Sequence, residues 1–104
     1  MNYLVEMTTV ESRFDQGNPI ELIEGQVFPS FESLIGLESS GKIMGGVEVG
    51  SRKLTFIADC ANNEELDELI KSLPVWMLVK TKVTPLADFG QRKKRDENFL
   101  KAMK

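Results

Sequence analysis

The sequence predicts one α+β domain in which strands and helices follow the order β-α-β-β-α-β. Three observations carry that prediction. Two stretches, residues 18–40 and 62–73, place apolar residues at helical spacing behind a capping asparagine. Four stretches alternate with period two or are β-prone. Glycine and proline separate the segments at the expected joints.

Residues 3–8, YLVEMT, form the first strand, with Tyr3, Val5 and Met7 on one face and Leu4, Glu6 and Thr8 on the other. Residues 9–17 are polar and read as a loop carrying Phe14. Asn18-Pro19 opens the first helix, with proline at the first helical position and Glu21 completing a capping box. Ile20, Ile23, Val27, Phe31 and Leu34 repeat at three and four residues. Pro29 interrupts them, and a kink or short break is expected between Gly25 and Pro29, because a proline ring presses on the carbonyl four residues back. Gly41 ends the helix.

Residues 42–49 form the second strand, with Gly45-Gly46 inside it as a bulge or a close backbone contact. A turn at Gly50-Ser51 leads to the third strand, residues 52–60, with Leu54, Phe56 and Ala58 on one face and Lys53, Thr55, Ile57 and Asp59 on the other. In the second helix, Asn62 or Asn63 caps and Glu65 completes the box. The stripe Leu66, Leu69, Ile70 and Leu73 follows, and Pro74 stops the helix. From Val75 the alternation predicts a last strand ending near Leu86, with Trp76, Leu78, Lys80 and Lys82 sharing a face.

This order is the ferredoxin-like split arrangement, a four-stranded antiparallel sheet with both helices on one face. The uncovered face carries Leu4, Ile57, Trp76 and Leu78 and is expected to be buried in a homodimer. Residues 1–90 make up this domain. Residues 91–104, QRKKRDENFLKAMK, are a basic tail with a short helix as the expected form, docked near the acidic helix of its own dimer. Fourteen acidic and seven basic residues precede Gln91, while six basic and two acidic follow, so that a body at −7 and a tail at +4 together give the net −3.

Composition narrows the chemistry. There is no histidine and only one cysteine, Cys60, which excludes histidine bases, histidine metal sites and an internal disulfide. No phosphate-cradling glycine motif is present, and aromatic and basic residues do not alternate as in a nucleic-acid platform. No cofactor, metal, nucleic acid or membrane partner is expected, and the default location is the cytoplasm. Glu6, Lys80 and Lys82 fall on the same predicted face as Trp76. Glu6 and Lys80 are therefore candidate catalytic groups for proton movement, with Glu48 a weaker candidate. Phe14, Met44 and Trp76 are the candidate substrate-binding residues.

The run ELDELIKSLPVWMLVKTKVTPL, sharpest in LPVW and VTPL, resembles the helix and last strand of the muconolactone isomerase-like proteins of the dimeric α+β barrel superfamily. By element order the resemblance spans most of residues 3–86. It implies a dimeric barrel and metal-free isomerisation of a small, largely apolar carbonyl or lactone-type molecule. The family pattern has a histidine in the first strand and a tryptophan-arginine pair in the second. Here Leu4 occupies the first position and the second strand reads IMGGVEV, so those catalytic roles do not transfer. A non-catalytic ligand-binding or assembly protein, or a cofactor-free oxygenase on the same fold, is the alternative.

Overall fold

The computed structural model describes residues 1–15 and 17–104, with the side chains of Phe14 and Asp15 also outside the described set. Four strands, β1 (Asn2–Thr9), β2 (Ile43–Val47), β3 (Leu54–Asp59) and β4 (Val79–Leu86), form one antiparallel sheet in the order β2-β3-β1-β4. This is the expected α+β arrangement. β1 is central, with Val5 opposite Phe56 on one side and Val83 on the other. Tyr3, Val5 and Met7 are buried, Val5 and Met7 completely, and they meet Leu54, Phe56 and Ala58 of β3 beneath the helices.

The helical elements are α1 (Glu11–Asp15), α2 (Pro19–Leu22), α3 (Phe28–Ser39), α4 (Asn63–Ser72) and α5 (Phe89–Met103). α1 is a short helix where the sequence suggested only loop, tied down by a bond from the Val10 amide to the Leu78 carbonyl, 2.9 Å. α2 starts where expected, with the Asn18 side chain accepting from the Ile20 amide at 2.9 Å. The interruption expected before Pro29 is a π-helical turn, Ile23–Val27, in which the Phe28 amide reaches back five residues to the Ile23 carbonyl. A proline has no amide to donate, and the wider turn absorbs that loss without ending the helix.

α4 follows its sequence signals. Asn62 accepts from the Glu65 amide at 2.9 Å, and Glu65 accepts from the Ala61 amide at 2.7 Å while pairing with Lys42. Leu66, Leu69 and Ile70 are buried, each contributing roughly 1.5–3 kcal/mol of transfer free energy. The Tyr3 hydroxyl donates to the Asn63 side-chain oxygen at 2.8 Å, which fixes α4 over β1.

One expectation is corrected. Residues 74–78 are not the start of the last strand but a 3₁₀ turn, Pro74–Leu78, and β4 begins only at Val79. In a turn of three residues per repeat, Val75 and Leu78 fall on one side, and both are buried under the helices. Leu78 therefore does not belong to the uncovered face. Trp76 and Met77 point outward from the turn at 39% and 71% exposure. Ser30, the only buried polar residue among those described, holds this turn in place. Its Oγ donates to the Gln26 carbonyl at 2.7 Å and accepts from the Val75 amide at 2.9 Å.

The basic tail belongs to a longer helix than expected. α5 starts at Phe89, capped by Asp88, which accepts from the Gln91 amide at 2.6 Å. None of its residues is buried, so it does not dock on α4 of its own chain.

Gly45 explains half of the Gly45-Gly46 pair. A methyl group at Gly45 would sit 2.2 Å from the Thr55 carbonyl oxygen and 2.5 Å from the Phe56 Cα, whereas one at Gly46 would meet nothing within 4 Å. Gly45→Ala is expected to lower stability by about 1–3 kcal/mol, because backbone rather than a flexible side chain must move. Gly46→Ala should be close to neutral, and urea denaturation of the two variants checks the contrast. In the same assay Ser30→Ala is expected to cost about 1–3 kcal/mol, since it leaves the Val75 amide buried without an acceptor.

Candidate functional site

The strands and helices enclose a cavity of about 300 Å³ at the end of the sheet where β1 finishes and β4 starts. Its walls are apolar. Val27 and Phe31 come from the helical side, Val75 and Leu78 from the 3₁₀ turn, and Leu54 and Val79 from the sheet. Thr9, Ser51 and Arg52 supply the polar lining, and Phe28, 55% exposed, also borders it. Two local features build this space. The π turn brings Ile23 and Val27 to the same wall, a widening often found at functional sites. The 3₁₀ turn directs Val75 and Leu78 inward instead of along a strand. An apolar cleft with a few polar groups suits a small, largely apolar ligand.

The residues singled out in the sequence are not gathered here. Glu6 lies on the uncovered face of β1, the opposite side of the sheet from the cavity-lining Thr9. Its carboxylate pairs with Lys53 of the segment leading into β3 at 2.7 Å, and Lys82 stands opposite it on β4. Lys80 stands opposite Thr8, so it is a neighbour along the face rather than the partner of Glu6. Met44, 74% exposed, is opposite Ile57 on the same face, near the β2 edge. Trp76 lies beyond the other edge, in a shallow groove with Arg13, Gln26 and Thr81, and the Lys71 Nζ is 6.0 Å from its ring centroid. One protomer therefore does not bring Met44 and Trp76 into a common pocket. The contact expected of Phe14 lies outside the described residues. Glu48, the weaker candidate, follows β2 in the turn to β3 and is exposed.

Lys53 was missed as the partner of Glu6, although its phase with Thr55 and Ile57 placed it on the same face. The cavity was missed as a whole. Its lining comes from five separate stretches of chain, and the inward turn of Val75 and Leu78 depends on the 3₁₀ geometry.

The electrostatics of the uncovered face follow from the ion pair. The hydrogen bond and charge of Lys53, with a smaller contribution from Lys82, hold the Glu6 carboxyl below its ordinary value of 4.5. The bond and charge of Glu6 raise the Lys53 ammonium above its ordinary 10.5. On the buried face, desolvation raises the Cys60 thiol above its ordinary 9.0, so it is an inert core residue at neutral pH. No group of three or more metal-ligating side chains occurs among the described residues. No helix among them is long and apolar enough to cross a membrane.

The stabilising contribution of Glu6 is complete above the ordinary carboxylate value and is lost as pH falls through its lower folded value. That of Lys53 is complete below its ordinary value and is lost as pH rises through its higher folded value. In Lys53→Met the Glu6 carboxyl should titrate closer to 4.5 than in the unaltered protein. The stability gap between the two proteins should shrink in acid. Carbon-detected NMR titration with parallel urea denaturation checks both, and an unmoved Glu6 titration would contradict the pairing.

No curated protein matches the chain. The sequence profile of the muconolactone delta-isomerase family matches residues 1–92, which takes in the whole sheet, the cavity and the start of α5. The chain belongs to the muconolactone delta-isomerase family.

Proposed function

We propose that the protein binds a small, largely apolar carbonyl or lactone-type molecule in the cavity between the sheet and the helices. The observation that carries this reading is the apolar cavity of about 300 Å³ with Thr9, Ser51 and Arg52 as its polar lining. The apolar walls would take the ring or chain of the ligand, while the hydroxyls and the guanidinium would meet its oxygen atoms. Family membership supports a ligand of this class.

Family membership also favours a second reading, metal-free isomerisation. A base would remove a proton from carbon beside the conjugated carbonyl system, and the proton would return at another carbon of that system. Glu6 and Lys80 are the groups proposed for it. Two features weigh against them. They lie across the sheet from the cavity, and a carboxyl held below its ordinary value is a weaker base. The isomerase reading therefore puts the substrate on the uncovered face, beside Glu6, Lys80 and Met44.

That face is also the proposed homodimer surface, through Leu4, Met44 and Ile57. It is less apolar than the sequence suggested, since Leu78 is turned inward and Trp76 lies beyond the sheet edge in the 3₁₀ turn. Ile57→Glu should yield monomers in sedimentation, and a monomeric unaltered protein at micromolar concentration would contradict the dimer.

Muconolactone, or a simpler butenolide, is the probe for the two readings. Binding measured by calorimetry should weaken at least about tenfold in Val27→Trp, which fills the cavity, equivalent to ~1.4 kcal/mol. Glu6→Gln should leave binding unchanged. If turnover occurs and Glu6→Gln abolishes it while Val27→Trp does not, the isomerase reading on the open face replaces the cavity reading.

A further inference from the structure

We propose that the groove around Trp76 is a second ligand site, which takes a planar aromatic carboxylate bearing a hydroxyl group. The groove has a volume of about 710 Å³ and adjoins the cavity without being part of it. Trp76 and Met77 of the 3₁₀ turn line the groove, Val75 lines the cavity, and Leu78 and Val79 form the wall between the two.

Two orphaned oxygens mark the groove. Among the described residues, the buried side-chain polar atoms without a hydrogen-bond partner are Gln26 Oε1 and Thr81 Oγ1. Both residues line this groove. They arrive from different elements, Gln26 from the π turn and Thr81 from β4, where it stands opposite Met7 and so faces the helices. A buried oxygen without a partner is unfavourable, and buried polar side chains are nearly always paired. One hydroxyl group answers both, since it donates to the Gln26 oxygen and accepts from the Thr81 hydroxyl. Met77, unbranched and 71% exposed, is the part of the wall that swings aside to admit it.

The other walls set the rest of the ligand. Trp76 is 39% exposed and offers an aromatic face on which a flat ring stacks. The Lys71 Nζ, 6.0 Å from the ring centroid, helps to hold the indole in place. Arg13 is the one charged residue among the described residues that line the groove. Its Nη1 donates to the Met77 carbonyl at 3.4 Å, which keeps the guanidinium at the groove. A guanidinium pairs best with a carboxylate, through two parallel N–H···O bonds. A water molecule bridging the two orphaned oxygens would use neither the indole face nor this charge.

Trp76 is the single tryptophan, so its indole N–H gives one resonance in the proton–nitrogen NMR spectrum. Titration of the unaltered protein with 4-hydroxybenzoate should shift that resonance to saturation. The methyl groups of Val47 and Leu54, which line the cavity and not the groove, should stay in place. Benzoate, which lacks the hydroxyl, and phenol, which lacks the carboxylate, should each bind at least about fivefold more weakly. Arg13→Gln and Thr81→Val should weaken 4-hydroxybenzoate by a similar factor. Arg13 is exposed and valine keeps the shape of Thr81, so both variants should retain the fold, which the rest of the spectrum reports. An indole resonance that does not move would overturn the proposal and leave the orphaned oxygens to water. Benzoate binding as tightly as 4-hydroxybenzoate, or an affinity unchanged in Arg13→Gln, would overturn it too. So would shifts confined to Val47 and Leu54, which put the compound in the cavity instead.

Discussion

The architecture depends on the central position of β1. Hydrogen-bonded on both sides, to β3 and to β4, it presents Tyr3, Val5 and Met7 to the helices and Leu4, Glu6 and Thr8 to the other side. Strand side chains alternate strictly, so this one strand sets the phase of its neighbours. Leu54, Phe56 and Ala58 must then face inward on β3, and Lys53 must face outward where Glu6 can reach it. Moving β1 by one residue would bury Glu6 and expose Val5. The separation of an apolar cavity on one face from an ion pair on the other follows from that alternation.

The cavity comes from two departures from regular structure rather than from the regular elements. Pro29 produces a π turn upstream and Pro74 a 3₁₀ turn between α4 and β4. Ser30 joins the two by accepting from the Val75 amide and donating to the Gln26 carbonyl within the helix. A buried serine satisfied on both sides offsets the cost of desolvation and holds the two irregular turns in fixed relation. The cavity walls therefore have a defined separation even though neither turn is a long element.

Much of the fold was legible in the sequence. Asn62, Glu65 and the stripe from Leu66 to Leu73 specify α4 through local contacts alone, and the structure uses them as expected. Pro29 marked the right place for an irregularity, which takes the form of a π turn lying against the 3₁₀ turn. The stretch from Val75 to Leu78 was misread because apolar residues in a short run fit both a period of two and a period of three. Tertiary packing chose three. That choice removed Leu78 from the uncovered face and opened the cavity. The candidate site was less legible for the same reason. Glu6 and Lys53 share a face that strand phase can identify, but a cavity drawn from Thr9, Val27, Arg52 and Leu78 depends on contacts that no local pattern encodes.

The central claim is that the ligand site lies on the helix side of the sheet, and the most direct measurement locates a bound molecule. With methyl-labelled protein and a butenolide, or with a compound that copurifies from cell extract, intermolecular NOEs report which side chains touch the ligand. The account predicts contacts to the methyl groups of Val27, Val75, Leu78 and Val79. Contacts confined to Leu4, Met44 and Ile57 on the uncovered face would contradict it.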